Sequence, residues 1–525
     1  MVTALSHSDT PITWLIGSLL LVSLCTFASY RVLFHPLRRF PGPSVAKLSD
    51  FRNGYYALQK NLHLVTAHDH AQYGAVVRHG PNKLLFNTVR ALRDIYDNER
   101  VVKSHVYSVT VQAPGVFTSF NVVDQKAHRH KRKIIGQLLS DRSMRIFEPM
   151  IVSQVDVLKG AEPVNMSDRF EYLSCDIVTL LGFGHPLKLQ TDETYRFMCK
   201  GMAVANYYTN THMQFFLIYQ LKLTAALHFF NNPLREKYKK LVRRMIGIRM
   251  SEDTNARHDL YSVITAANTE AINAEERIQM SEIWSEAVTF LPAGAFSIST
   301  AMSGLFFYLA HYPECYGRLA NEIRTTFTSE ADIKFGVQLS SCHYLRACID
   351  ETLRMSPPIP GTMWRELQPN DSEPLIVDGH VIPPGTQVGV NPYSLHHNEE
   401  YFAESYLFKP ERWLDAHEAE KPKAVPREAF IPFSIGYRDC VGKNMAYLVM
   451  SIVVAKIIWY FDFESPTGPR GDVGGGRKGG EFGRRRENEY QLYDIFSAAH
   501  DGPYLVFKPR GDACSNITVE GFTSQ

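Results

Sequence analysis

Residues 433–442 read FSIGYRDCVG and set one cysteine, Cys440, in a glycine-rich turn. The thiolate, not the thiol, is the form of cysteine that attacks and binds metals. Apolar helical periodicity begins directly after it (GKNMAYLVMSIVVAKIIWYF), so the sulfur stands near a helix N-terminus, which favours an anion. A thiolate ligand to haem iron needs a loop that carries sulfur to a flat macrocycle, with backbone amides aimed at it. Phe433 opens this loop, and Gly436 and Gly442 permit the close approach. Arg438, two residues before the cysteine, can reach a haem propionate through charge-assisted hydrogen bonds. The other cysteines, at 25, 175, 199, 315, 342, 348 and 514, form no C-x-x-C pair, which argues against a zinc site or a disulfide framework. Taken alone, Cys440 would read as a small buried apolar group.

More charged residues recur upstream. Glu351 and Arg354 (ETLR) stand at i, i+3 of a helical run and share a face; exposed, such a pair contributes only about 0.3 kcal/mol. PPIPGTMWRE (357–366) follows with Pro360, Thr362 and Arg365, and FKPERW (408–413) then supplies Arg412. Much earlier, HRHKRK (128–133) sets His128 and Arg132 four residues apart; its plain reading is a solvated basic face.

In this order and spacing the motifs resemble the cytochrome P-450 family, whose haem-binding signature F-x-x-G-x-R-x-C-x-G is matched at every fixed position. The resemblance runs over nearly the whole chain. It implies Cys440 as the axial, metal-binding ligand of haem b, with Arg438, Arg365, His128 and Arg132 on the propionates and Phe433 and Gly436 in the cofactor loop. It also implies that Glu351, Arg354 and Arg412 form a buried structural triad. YRVLFHPLRRFPGP and EYQLYDIFSAAHDGPYLVF look like fungal, microsomal members of that family.

One stretch departs from the pattern. The family's distal helix carries A-G-x-D/E-T-T, and here the match is AGAFSIS, 293–299, with Phe296 at the acid position and Ser297 at the first threonine position. Gly294 is expected to let dioxygen approach the helix backbone. Ser297 keeps a hydroxyl donor, and with Cys440 these two complete the expected catalytic set. Loss of the carboxylate removes a proton station, and positioned proton transfer is worth roughly 10²-fold or more. Three readings stay open: a monooxygenase with protons from water or substrate, a reductase-independent isomerase or dehydratase, and a haem binder without turnover. Phe296, Ala293, Pro360 and Thr362 are expected to line the substrate pocket, with the aromatic-rich 206–230 region as its roof or as ordinary helix packing.

The elements that must position these residues follow from pattern. Pro11–Tyr30 carries no formal charge over about twenty residues, the length that crosses a bilayer. Arg31, His35, Arg38 and Arg39 come directly after, so the positive-inside rule leaves the rest cytosolic; a signal peptide would carry its basic residues first. This predicts an anchor over 1–34, a Pro-rich linker over 35–50 and a haem-binding catalytic domain over 51–525. Within it, the Gly/Arg-rich insert 468–488 is expected to be a mobile surface loop. Strand patterns at 76–88 and 375–395 flank a long helical stretch, and the resemblance implies a mainly α fold with a smaller β region, one large haem domain behind a transmembrane helix. A net charge of +2, from 56 Lys+Arg against 54 Asp+Glu, gives no field for nucleic acid, and none is expected as a partner. By resemblance, electrons come from NADPH through a membrane reductase. The same resemblance implies a lipophilic secondary metabolite (terpenoid, polyketide or alkaloid) as substrate, and a monomer that meets lipid at the endoplasmic reticulum. The sequon Asn516-Ile-Thr518 should stay unglycosylated on a cytosolic tail.

Overall fold

The computed structural model describes residues 10–140, 163–223, 232–271, 277–369, 371–414 and 427–510, with 143–145, 148–149 and 151; the Asn516 sequon lies outside them. Helix α1 (Thr10–Ser29) runs on through a π-helical turn to Phe34. Thr13–Phe34 is 22 residues long with hydropathy 1.6 and no part of it buried, so it is long and apolar enough to cross a membrane. Met280–His311 and Lys443–Tyr460 are nearly as apolar, but 72% and 67% of their apolar windows are buried, which assigns them to the core.

Residues 35–50 are not the free spacer their prolines suggest. Leu37 and Phe40 are buried, and the Arg78 N–H donates to the Pro41 carbonyl at 2.7 Å. At Gly42 (φ 155°) a Cβ would fall 2.4 Å from the Arg78 carbonyl, so glycine is required for this segment to lie against the sheet.

Strands β1 (Val76–Gly80), β2 (Lys83–Phe86), β3 (Val101–Lys103), β5 (Arg365–Leu367) and β8 (Gln387–Val390) form a sheet in the order β1-β2-β8-β5-β3. β2 and β8 run parallel and the other pairs antiparallel, with Lys103 of β3 opposite Arg365 of β5. A second sheet, β4-β10-β9, joins Val164–Asn165 (β4), Tyr504–Pro509 (β10) and Phe461–Glu464 (β9). Leu375–Val377 (β6) and His380–Ile382 (β7) form a hairpin around Asp378-Gly379, both at positive φ.

The helical body includes α2 (Gln125–Leu138), α3 (Met166–Phe183), α4 (Phe197–Gln214), α5 (Asn232–Met250), α6 (Met280–His311), α7 (His343–Met355) and α8 (Lys443–Tyr460), together with other helices. Helix α6 is the spine. Its C-terminal half buries Leu305, Phe306 and Leu309 in one apolar cluster with Leu353 of α7 and Val449 and Val453 of α8. Its N-terminal half buries Ala287, Leu291, Ala295 and Phe296 with residues of α3, α4 and α5. Each such large side chain contributes about 1.5–3 kcal/mol. Pro292 sits inside α6, where it removes the donor that would bond the Val288 carbonyl. Tyr238 of α5 donates its hydroxyl to that carbonyl at 3.1 Å, which satisfies the orphaned acceptor.

The 468–488 insert is packed, contrary to its composition. Arg484 donates to Asn61 Oδ1 (2.8 Å), the Lys60 carbonyl (3.3 Å) and Gln491 Oε1 (3.1 Å), while Arg486 pairs with Glu489 at 3.0 Å and covers Tyr406. A Cβ at Gly476 would sit 2.5 Å from the Arg486 carbonyl, so here glycine serves close backbone packing. Arg484 and Arg486 therefore face inward, while Arg470, Arg477 and Arg485 are exposed.

Candidate active site

The cysteine loop is shaped by two left-handed residues, Ser434 (φ 58°) and Gly436 (φ 74°). A Cβ at Gly436 would lie 2.1 Å from the Tyr96 carbonyl, so this glycine serves contact with the Tyr96–Asp97 backbone and not approach to a macrocycle. Phe433 packs its ring 5.1 Å from Tyr447, and its carbonyl accepts from the Cys440 N–H at 2.9 Å. Gly442 is the residue before α8, so the sulfur lies just ahead of that helix's N-terminus. Cys440 is exposed, yet burial pushes its thiol up from the ordinary value, against the opposing pull of the Gly442 N–H, Arg132 and Lys443. Exposure inside dense surroundings means the sulfur faces an internal space.

Around that space gather basic side chains from four elements. His128 and Arg132 come from α2, Lys103 from β3, Arg365 from β5 and Arg438 from the cysteine loop. Arg132 donates to the Asp439 carboxylate and carbonyl. Arg438 donates to the Val122 and Val123 carbonyls at 2.7 and 2.9 Å and keeps a buried Nε without a partner. Arg365 donates to the Tyr107 hydroxyl (3.4 Å) and to the Met363 and Trp364 carbonyls. Buried His128, with Nδ1 unpartnered, is lowered to about 3 by burial and then by Arg438, Lys103, Arg132 and Arg365. Burial, then Arg365 and Arg438, push Lys103 well below the ordinary lysine value. A pool of buried positive charge with free N–H groups fits a group bearing carboxylates, and one sulfur beside it fits a soft metal; haem offers both. Lys103 escaped the motif reading. A lysine closing the apolar strand VVK was its only signal, and its place beside Arg365 comes from strand pairing.

Below the loop, Glu351 is saturated. Arg354 donates Nε and Nη2 to its two oxygens at 2.9 Å, Arg412 donates Nε at 2.9 Å, and the Lys409 N–H and Trp413 Nε1 add bonds at 3.0 Å. Burial alone would raise Glu351, but Arg354 and Arg412 outweigh it and leave the carboxyl below its usual value. His396 was not foreseen. Its Nδ1–H donates to the Arg354 carbonyl (3.1 Å), while Nε2 accepts the Ile431 N–H (2.9 Å), so it ties this cluster to the cysteine loop.

Two expectations on the distal helix and two in the 357–366 segment are corrected. Phe296 is 1% exposed and belongs to the apolar cluster with Val178 and Leu291, so it does not line a pocket. At Gly294 a Cβ would fall 2.8 Å from Val178 Cγ2; the glycine admits α3 and is not aimed at a ligand. Thr362 is buried against Gly389, where its methyl fills the space the glycine leaves, and Met363 is the residue that turns to Tyr107. Pro360 is buried too. Ala293 is exposed and Ser297 half-buried at i, i+4, so these two mark the open face of α6. On the other side, Ser299 and Thr300 both donate to the Phe296 carbonyl, at 3.1 and 2.7 Å. Of the 206–230 region, Met213 packs with Trp364, Tyr107 and partly buried Phe216, while Leu217, Tyr219, Leu221 and Leu223 are exposed.

The cytochrome P450 family model matches residues 55–473. A cytochrome P450 monooxygenase of Alternaria alternata is 34% identical over 514 residues, covering 94% of this chain and 97% of its own. One of Gibberella fujikuroi is 31% identical, covering 92% and 95%, and one of Penicillium oxalicum is 30% identical, covering 91% of each.

Proposed function

This chain belongs to the cytochrome P450 family and is a P450 monooxygenase; from that premise we propose that it oxygenates a lipophilic secondary metabolite with electrons from NADPH, delivered by a membrane reductase. The observation that carries the reading is Cys440, a sulfur open to an internal space beside buried Lys103, Arg365 and Arg438, which have no carboxylate within ion-pair distance among the described residues. Haem bound there supplies the activation of dioxygen, and a thiolate ligand favours O–O cleavage.

The protein's own groups do the rest. Cys440 holds the iron, and the Gly442 N–H moderates the sulfur's charge. Arg365 and Arg438 take the propionates, with His128 and the Asp439-paired Arg132 at their margin. Ala293 and Ser297 face the distal space. Ser297 offers a hydroxyl there, and protons reach it by way of water, since Phe296 points into the core. Glu351, Arg354, Arg412 and His396 fix the loop that carries the sulfur. The N-terminal helix anchors the enzyme as a monomer in the endoplasmic reticulum membrane with its catalytic domain cytosolic, and terpenoids, polyketides or alkaloids reach it through the lipid.

The test is the reduced carbon-monoxide difference spectrum of microsomes expressing the chain, repeated with reductase, NADPH and a substrate panel. A red-shifted thiolate band with NADPH-dependent product is expected. Its loss in Cys440→Ala is also expected, and retention there would refute the ligand assignment. Turnover without NADPH would transfer the chain to the isomerase class.

A further inference from the structure

Lys103 lies at the seam between the cation group and an aromatic cluster. It is the strand partner of Arg365, and its ammonium stands 3.8 Å from the Phe120 ring centroid and 4.8 Å from that of Tyr107, while donating to the Phe120 carbonyl. Phe120 meets Phe496 at 5.7 Å, and the Tyr107 hydroxyl donates to Met363 Sδ at 3.3 Å. These side chains pack with Val106 and Trp364 into an apolar cluster of their own. Phe496 holds a positive φ of 90° at a turn near α6, where the Thr300 hydroxyl meets the Ala498 carbonyl at 3.1 Å.

The charges do not balance. Among the described residues, Lys103, Arg365 and Arg438 have no carboxylate within ion-pair distance, while Arg132 has Asp439. Glu286, the acid that most affects Lys103, is occupied by the N–H and hydroxyl of Ser119. Haem brings two propionates, and two forked guanidiniums are matched to two carboxylates. One buried lysine is then left without a counter-ion; burial and the two arginines disfavour its charged form, which an arriving anion restores. It stands on the side lined by aromatic and thioether groups.

We propose that Lys103 receives a carboxylate of the substrate, whose apolar body lies against Tyr107, Phe120, Met363 and Phe496. The substrate class is therefore a lipophilic carboxylic acid. This rests on the monooxygenase reading above and narrows it. The two ring faces hold the amine in place, and the neighbouring Arg365 adds a long-range attraction for the same anion.

The experiment uses the full-length haem-loaded enzyme in lipid nanodiscs. It is titrated with 4-phenylbutanoic and 8-phenyloctanoic acids and with their neutral amides, and the spin-state shift of the Soret band is followed. The wild type is expected to bind at least one acid about tenfold or more tightly than its amide. Lys103→Met and Lys103→Gln should keep the thiolate band, lose about thirtyfold or more of the acid affinity, and bind the amide as before. Equal binding of acids and amides by the wild type overturns the proposal without any variant. So does weakened haem retention in both variants when their haem-loaded fraction keeps the acid preference, because Lys103 then serves a propionate. A haem-loaded wild type without the thiolate band would instead sink the haem-thiolate reading itself, a result distinct from the others.

Discussion

Two buried charge clusters in this chain are treated in opposite ways. Glu351 and Arg354 lie fully inside with Arg412 at their edge, and both guanidiniums pair with the one carboxylate, although Arg412 keeps a buried Nη2 without a partner. Lys103, Arg365 and Arg438 are also taken out of water, but their hydrogen bonds go to carbonyls and a phenol, with no carboxylate within ion-pair distance among the described residues. The first arrangement is complete without a ligand and can only hold the fold. The second is incomplete without one, because like charges gathered in low dielectric repel until an anion enters.

Glu351→Ala should have the largest effect. It strands Arg354 and Arg412, at a cost of about 3–5 kcal/mol, read by denaturant unfolding of the haem-loaded protein. A loss below about 1 kcal/mol would place the triad with ordinary exposed pairs and erase the contrast. Phe296→Asp comes next, since it puts a carboxyl into an apolar cluster with no partner at all. Stability should fall by about 3 kcal/mol with no gain in NADPH-coupled oxygen use. Faster oxygen use would mean that this side chain does reach the distal space. His396→Phe should cost about 1–3 kcal/mol, because it leaves the buried Ile431 N–H and Arg354 carbonyl unpaired. It should also speed haem loss to an acceptor globin; unchanged loss would cut the link between triad and cysteine loop.

The smallest effect is on pH dependence, and the two clusters differ in it. Glu351 lies below its ordinary value, so its contribution is complete above the unfolded carboxyl value of about 4.3 and is lost as pH falls. His128 and Lys103 are also lowered and, like Glu351, bind fewer protons folded than unfolded, so stability again rises with pH, but in a higher window between their own folded and unfolded values. For His128 that window runs from about 3 up to the ordinary value of about 6.5. Melting temperatures across it should climb more steeply for haem-free protein than for haem-loaded protein, whose propionates supply anions. Parallel profiles would show that the cations have no such need.

Several features were legible because their geometry is local. The turn around Cys440 is made by its own glycines and the helix that follows, and Glu351 and Arg354 meet because residues three apart share a helix face. The anchor needs only a charge-free run of sufficient length. Other readings failed where neighbours distant in sequence decide. Composition reads the arginines of 468–488 as solvated, and Arg470, Arg477 and Arg485 are exposed, yet Arg484 finds Asn61 and Lys60 from the far end of the chain. Alignment named residues 293–297 as one functional stretch, but successive helix positions point about 100° apart, and only Ala293 and Ser297 turn to the open face.

Side-chain chemistry at short spacing was enough to mark a cysteine loop, a Glu–Arg pair and an apolar N-terminal helix. Which side of α6 is open, the contact of Gly294 with Val178, and the place of Lys103 beside Arg365 and Arg438 became visible in the folded chain alone. Packing and pairing between remote segments set those outcomes, and whether a buried charge is satisfied depends on every element that surrounds it.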